Sequence, residues 1–168
     1  MKEVYSIHNP VRINFGRECR GMLQDRLKAK EVLIVCSARG RKEFTRDSKL
    51  SVIGKCAKLT WVDNIKSNPD IDLLQSVINK LSSKHYDLVL GFGGGSAMDA
   101  AKVVSMGISP IGIKHGISAL IENPELHRTE VSVPCITVPT TSGTGSDCLL
   151  YTSPSPRDAT LSRMPSSA

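Results

Sequence analysis

The fold is decided by the sequence DLVLGFGGGSAMDAAK, residues 87–102. The continuous apolar run that ends at Phe92 predicts a buried strand, because a strand covered on both faces carries no polar alternation. A helix with a small-residue face is predicted from residues at helical spacing: Ala97, Ala100, Ala101 and Val104. Glycines 93–95 separate the two elements and let the backbone turn sharply and approach a ligand. This order of elements is typical of a phosphate-binding turn, since free N–H groups at a helix start attract anions.

The same turn also has a purely structural interpretation. Ser96 and Asp99 fit the capping pattern S-x-x-D, which predicts that Ser96 caps the helix. The glycines match neither G-x-G-x-x-G nor G-x-x-x-x-G-K-[ST]. A simple turn that only starts a helix therefore remains the alternative at this point.

Strands and helices alternate along the rest of the chain, which predicts an α/β fold with a Rossmann-like parallel sheet and flanking helices. A helix is expected from Glu18 to Ala29, and Asn68-Pro69 predicts the start of another, with Asn68 as cap and Ile71 on its apolar face. Residues 107–134 are rich in glycine and proline and give no clear element. Strands are expected at Val11–Phe15 (an edge strand), Val32–Cys36, Leu59–Val62, Asp87–Phe92 and Cys135–Pro139.

A second polar loop, PTTSGTGSD at residues 139–147, follows the last of these strands. Its hydroxyls and exposed N–H groups suit a ligand lying across the carboxyl ends of parallel strands. A plain Ser/Thr/Gly loop is the alternative in isolation. Two such loops after two strands of one sheet favour a shared ligand.

Composition excludes several classes of protein. The net charge is +6, and residues 11–60 hold thirteen Lys and Arg against five Asp and Glu, but aromatic residues make up only 4% of the chain. Few side chains are available to stack bases, so the charge predicts a basic edge beside a site for phosphorylated ligands rather than a nucleic-acid surface. The sequence contains no apolar run of membrane-spanning length and no export signal, which predicts a cytoplasmic protein. The five widely spaced cysteines are interpreted as reduced thiols.

The two loops together resemble those of the iron-dependent (group III) alcohol dehydrogenases. The matching patterns are Gly93-Gly94-Gly95-Ser96-x-x-Asp99 and Pro139-Thr140-Thr141-Ser142-Gly143-Thr144-Gly145-Ser146, and the resemblance covers residues 4–147 in order. It implies a domain that binds a nicotinamide dinucleotide. The cofactor-binding residues that it implies are Gly93, Gly94, Gly95, Ser96 and Asp99 around the pyrophosphate, and Thr140, Thr141 and Thr144 on the nicotinamide side.

The resemblance further implies a helical C-terminal domain that carries an Fe²⁺ ion bound by one Asp and three His. That domain lies outside the matching residues, so we expect no catalytic and no metal-binding residue in this chain, and at most dinucleotide binding. The four histidines, His8, His85, His115 and His127, are interpreted as surface or loop residues. The intact enzyme would be a homodimer that interconverts a small alcohol and its carbonyl compound. The alternatives are a glycerol or glycerol-phosphate dehydrogenase, or a non-catalytic nucleotide-binding module.

The residues after the first buried strand bear on the choice between NAD and NADP. Relatives that prefer NAD have an acidic residue where this chain has Ser37, and a carboxylate there would repel a 2′-phosphate. Arg39, Arg41 and Lys42 follow within reach of an anion. We therefore expect NADP to be favoured, with Ser37 and Arg39 at the adenosine end. The alternative is that these basic side chains point into water.

Residues 148–168 differ in character from the rest of the chain. They hold three prolines and five serines and no apolar periodicity. Their sequence resembles a translated sequencing adapter. We therefore expect a dinucleotide-binding domain at residues 1–147, truncated, and a non-native disordered tail at 148–168, with a genuine disordered tail as the alternative.

Overall fold

The four strands form one parallel sheet. The computed structural model describes residues 11–16, 19–123, 126 and 132–143. The strands are β1 (Glu31–Val35), β2 (Lys58–Val62), β3 (Leu88–Gly93) and β4 (Cys135–Pro139), in the spatial order β2-β1-β3-β4. Every neighbouring pair is parallel. The predicted α/β fold class is confirmed, and each of these four strands lies within one residue of its predicted bounds.

Five α-helices accompany the sheet in the described residues. They are α1 (Met22–Leu27), α2 (Ala38–Arg46), α3 (Ile71–Leu81), α4 (Gly95–Gly107) and α5 (Pro110–Glu122). Short 3-10 helices at Cys19–Gly21 and Ser51–Lys55 precede α1 and β2. Helix α5, which lies in the stretch with no predicted element, is bent at Gly116, where φ is 77°.

The core lies on both faces of the sheet. Leu33 and Val35 of β1 pack on one face with side chains of α3, α4 and α5, whereas Val32 and Ile34 pack on the other with side chains of α1 and α2. Successive strand residues point to opposite faces, so a strand buried on both faces must be apolar throughout. This is why β1 and β3 appear as unbroken apolar runs in the sequence.

Helix α4 packs very closely against β3. Its small-residue face is buried as predicted, with Ala97, Ala100, Ala101 and Val104 each at most 6% exposed. A Cβ atom added at Gly91 would lie 2.7 Å from the Cβ of Ala101, so the approach requires glycine on the strand. The start of α4 is therefore held directly over the end of β3.

We predict that Gly91→Ala lowers stability by about 1–3 kcal/mol, because the added methyl group overpacks the contact between β3 and α4. Chemical denaturation followed by circular dichroism measures the change. Gly21→Ala is the matched control, since a Cβ at Gly21 meets no atom within 4 Å and its backbone is already helical. Equal stabilities of the two variants would contradict the proposed steric role of Gly91.

Several predictions about element ends were wrong. Residues 11–15 form no strand, and Phe15 is fully exposed, so the alternating pattern there finds no neighbouring strand among the described residues. The helix expected to run to Ala29 ends at Leu27, because Lys28 leaves the helical region and Ala29 has a φ of 60°. Residues 1–10, Glu18 and the tail at 148–168 lie outside the described residues.

The predicted cap of α3 was also wrong. Asn68 has a left-handed backbone with φ of 49°, which differs from the extended backbone of a capping residue. The helix is capped by Asp70, whose side chain accepts a hydrogen bond of 2.6 Å from the N–H of Leu73. Ile71, which was expected on the apolar face of this helix, is 44% exposed.

Asp87 fixes the amino ends of β1 and β3. Its backbone N–H donates to the carbonyl of Glu31 at 2.9 Å, and its carboxylate accepts from the N–H of Glu31 at 2.8 Å. His85 Nε2 lies 3.2 Å from the other carboxylate oxygen. The bond from Glu31, and to a lesser extent His85, lower the pKa of Asp87.

We therefore expect Asp87 to stabilise the protein only while it is ionised. A lowered pKa in the folded state adds stability above the ordinary carboxyl pKa of about 3.9, and this stability disappears as the pH falls through the lower folded value. Asp87→Asn, which imitates the protonated side chain, should unfold more easily than the wild type at pH 7. The difference in stability between the two proteins should disappear as the solution is acidified. Thermal unfolding across the pH range measures it, and a difference that is independent of pH would contradict the assignment.

Candidate functional site

The turn from β3 into α4 is built by two glycines. Gly93 ends β3 with a backbone φ of 144°, a value that residues other than glycine rarely adopt. Gly94 is the N-cap of α4, and no side chain caps this helix start by a hydrogen bond. The first-turn N–H groups of α4 and its positive dipole end therefore face the carboxyl edge of the sheet without a competing side-chain acceptor.

Ser96 has a different role from the predicted one. Because Gly94 is the cap, Ser96 lies inside the first turn of α4, and the prediction that it caps the helix was wrong. Its Oγ instead accepts a hydrogen bond of 3.2 Å from the backbone N–H of Asn68. This bond ties the loop after β2 to the glycine turn. Asn68 was missed as a site residue because the Asn-Pro pair was assigned to the start of α3.

Asp99 lies one turn further along α4 and is paired. Lys102 Nζ lies 3.4 Å from Asp99 Oδ1, and the side chains of Lys102 and Asp99 are 15% and 30% exposed. The ammonium group offsets the carboxylate charge at a distance where the protein interior screens it weakly. Asp99 therefore does not give the helix start a net negative charge that would repel an anion.

The second polar loop meets the glycine turn, as the sequence predicts. The N–H of Thr140 donates to the carbonyl of Gly93 at 2.9 Å. A Cβ added at Gly94 would lie 3.2 Å from Thr141 Oγ1. The two loops therefore lie close together at Gly94, where the absence of a side chain makes room for Thr141. Thr144 lies outside the described residues.

The start of α2 joins the same edge of the sheet. Ser37 caps α2, and its Oγ accepts from the N–H of Gly40 at 3.1 Å. A Cβ at Gly40 would lie 3.4 Å from the carbonyl oxygen of Phe92, which places the first turn of α2 against the end of β3. Gly93–Ser96, Thr140, Thr141 and Ser37 therefore lie along one edge of the sheet.

The basic side chains of α2 have acidic partners. Arg39 Nε lies 2.8 Å from Glu43 Oε1, and its side chain is 89% exposed. Arg41 Nη1 lies 2.5 Å from Asp63 Oδ2. Lys42 is exposed. Arg39 thus fits the alternative that these side chains point into water, whereas Arg41 is held at the ends of β1 and β2.

The site offers neither a reactive thiol nor a metal centre within the described residues. Burial raises the pKa of the Cys36 thiol to about 12, so it stays protonated and is a poor nucleophile. No three His, Cys, Asp or Glu side chains come together there as a metal site. Among the histidines, His85 and His115 are exposed as predicted, and His8 and His127 lie outside the described part. No helix in that part has the length and apolar content to cross a bilayer.

Comparisons with known proteins agree on one family. The family model for iron-containing alcohol dehydrogenases matches residues 10–153. A sulfoacetaldehyde reductase from Bilophila wadsworthia is 42% identical over 82 residues, which cover 47% of this chain and 19% of that protein. A 1-propanol dehydrogenase from Citrobacter freundii is 30% identical over 122 residues, which cover 73% of this chain and 28% of that protein.

Solved structures give the same result. An iron-containing alcohol dehydrogenase from Thermotoga maritima superimposes with a TM-score of 0.72 at 26% identity, over 86% of this chain and 40% of that one. A sulfoacetaldehyde reductase from Bifidobacterium kashiwanohense, solved in complex with NAD+, has the same fold, with a TM-score of 0.63 at 22% identity over 88% of this chain and 39% of that one. The chain thus spans less than a third of the two curated relatives and about 40% of the solved ones.

Proposed function

Because the chain belongs to the iron-containing alcohol dehydrogenase family, we propose that it binds the nicotinamide dinucleotide of an NAD(P)-dependent dehydrogenase. The observation that carries the proposal is the contact between the two polar loops at the carboxyl edge of β3 and β4. Gly94 lacks the Cβ that would approach Thr141, and no side chain caps α4. A pyrophosphate fits such a position, since it takes several backbone N–H groups at once.

Each residue of the edge has a proposed part in holding the dinucleotide. Gly93, Gly94, Gly95 and Ser96 would bind the pyrophosphate through backbone N–H groups and the Ser96 hydroxyl. Asp99, paired with Lys102, would hold the first turns of α4 in place. Thr140 and Thr141, with Thr144 beyond the described residues, would line the nicotinamide side. Ser37 and Arg39 would lie toward the adenosine end.

In the intact enzyme the proposed reaction is the reversible interconversion of a small alcohol and its carbonyl compound. A nicotinamide dinucleotide held at this edge would supply the chemistry of hydride transfer. The relatives named above carry the names of alcohol dehydrogenases and an aldehyde reductase, which supports this substrate class. The described residues contain no group of three His, Cys, Asp or Glu side chains that could hold an iron ion, so their proposed role is cofactor binding and no catalytic step.

NADP is the proposed favoured cofactor. Ser37 stands at the cap of α2 with no carboxylate, so nothing at that position repels a 2′-phosphate. NAD should still bind, since Ser37 can accept or donate hydrogen bonds to ribose hydroxyls.

The domain limits, location and assembly of the intact enzyme are also proposals. Residues 1–147 would form the dinucleotide-binding part, and residues 148–168 a non-native tail. A homodimeric, cytoplasmic enzyme is expected from the family alone. Sequencing the source gene across codon 147 would give the full-length coding sequence. Light scattering on the protein expressed from it tests the assembly.

Titration calorimetry with NAD+ and NADP+ on the full chain tests the function. We expect saturable one-to-one binding of both, with the smaller dissociation constant for NADP+. Cooperative unfolding in denaturant, measured on the same sample, establishes that the protein is folded. Folded protein that binds neither dinucleotide would overturn the proposal.

A further inference from the structure

Arg41 is clamped between an aromatic ring and a carboxylate at the ends of β1 and β2. Its guanidinium lies 5.0 Å from the ring centroid of Trp61 and 2.5 Å from Asp63 Oδ2. Arg41 comes from the first turns of α2, Trp61 from β2, and Asp63 from the residue directly after β2. The stacking and the ion pair together restrict the direction in which the guanidinium can point.

Asp63 lies beside the chain segment that leads into Ser37. The N–H of Cys36 donates to the carbonyl of Val62 at 2.9 Å, and the N–H of Ile65 donates to the carbonyl of Cys36 at 3.2 Å. These two bonds involve Val62 and Ile65, on either side of Asp63, and hold this segment next to the end of β1. A carboxylate is thus present at this corner of the sheet. It belongs to the residue after β2, whereas in NAD-preferring relatives the acidic residue follows β1, at the position of Ser37.

The charge of Asp63 acts on a phosphate in two ways. Asp63 pairs with Arg41, a cation of the first turns of α2, so a phosphate would have to share that guanidinium. Its negative charge would also repel a dianion bound nearby. The side chains of Arg41 and Asp63 are 48% and 37% exposed, so solvent weakens both effects without removing them.

We propose that Asp63 is a specificity-determining residue, which restrains the affinity for a 2′-phosphorylated dinucleotide by holding Arg41. The inference rests on the proposed function, since it concerns the adenosine end of the same site. Because this chain has Ser37 where NAD-preferring relatives have an acidic residue, no carboxylate at that position repels the 2′-phosphate. Asp63, at the end of the neighbouring strand, supplies part of that repulsion instead. The balance between NAD and NADP is therefore set by the pair Arg41 and Asp63 together with Ser37.

The test compares NADP+ and NAD+ binding to Asp63→Asn by titration calorimetry. Asparagine has nearly the same shape but releases Arg41 and removes the negative charge. We expect the dissociation constant for NADP+ to fall about tenfold, the scale of one charge-assisted hydrogen bond, and that for NAD+ to change less than about twofold. Raising the salt concentration should shrink the gain for NADP+, because the contact is partly exposed.

Two further variants make the test specific. Asp72→Asn carries the same charge change at an exposed position in the first turn of α3 and should leave both dissociation constants unchanged. Arg41→Gln should weaken NADP+ binding and spare NAD+. Added to Asp63→Asn, it should cancel the part of the gain that comes from the released guanidinium and leave the smaller part that comes from the removed charge.

The outcomes separate the two proposals. Equal changes for NAD+ and NADP+, or none, in folded Asp63→Asn would overturn the role of Asp63 while leaving dinucleotide binding intact. A wild-type protein that binds neither dinucleotide would overturn both. If Asp63→Asn does not fold, unchanged NADP+ binding in Arg41→Gln would overturn the inference.

Discussion

Replacing Gly94 with alanine should weaken NAD+ and NADP+ binding by about tenfold or more, the scale of one to two charge-assisted hydrogen bonds lost to the pyrophosphate. The added methyl group would lie 3.2 Å from Thr141 Oγ1, in the gap between the two polar loops. The backbone of Gly94 is extended, with φ of −82°, so alanine adds no torsional strain. The expected loss therefore reflects blocked access of a ligand to the backbone. Calorimetric titration measures it.

Gly54→Ala is the matched control for this effect. A Cβ there would meet Leu59 at 3.6 Å, an ordinary contact, on the 3-10 helix before β2. Its dissociation constants should equal those of the wild type. Wild-type affinity in Gly94→Ala would mean that the dinucleotide does not approach the start of α4, and would contradict the proposed site.

Phe44→Ala should lower the free energy of unfolding by about 3–5 kcal/mol, the largest stability effect expected in this protein. Phe44 on α2 is 1% exposed and packs edge-on against Trp61 and Phe92, with ring centroids 5.3 Å apart in both pairs. The variant would leave a cavity and lose both aromatic contacts. Urea denaturation measures the change.

Ile113→Ala provides the comparison, because Ile113 is 52% exposed and its truncation should change stability by less than about 0.5 kcal/mol. Phe44→Leu should fall between the two variants, since leucine refills most of the space. A loss below about 1 kcal/mol in Phe44→Ala would show that α2 is not anchored through this ring.

The strands could be predicted from the sequence, because a strand that is buried on both faces of the sheet is a continuous run of apolar residues. The predicted bounds of β4, Cys135–Pro139, are those observed. The meeting of the glycine turn with Thr140 and Thr141 could also be predicted, since parallel strands bring their carboxyl ends to one edge. These features depend only on local pattern and on the general geometry of parallel sheets.

Helix ends and ion pairs could not be predicted, because they depend on residues far away in sequence. Asn68 is a plausible cap by type, but its N–H donates to Ser96, twenty-eight residues later. Helix α5 has no sequence signal because its Pro110 and Gly112 are typical helix breakers. Pro110 nevertheless occupies the first turn of α5, and a Cβ at Gly112 would lie 2.6 Å from Gly107, so this glycine permits close packing.

The partners of the basic residues show the same limit. The sequence led us to expect Arg39 and Arg41 within reach of an anion at the proposed adenosine end, but it gives no direction for either side chain. Arg41 meets Asp63 across 22 positions, whereas Arg39 pairs with Glu43 on its own helix. Local pattern therefore predicts where the candidate site lies, whereas ion pairs between residues distant in sequence decide its charge.

The strand order β2-β1-β3-β4 has a consequence for where any ligand must lie. The chain adds β2 on one side of β1 and then reverses, adding β3 and β4 on the other. At this topological switch point, α2 leaves β1 on one face of the sheet and α4 leaves β3 on the opposite face. In open parallel sheets, ligands bind outside the carboxyl ends of the strands at such a switch point. The position of the proposed binding cleft would thus follow from connectivity, whereas the glycines and hydroxyls would decide which ligand it accepts.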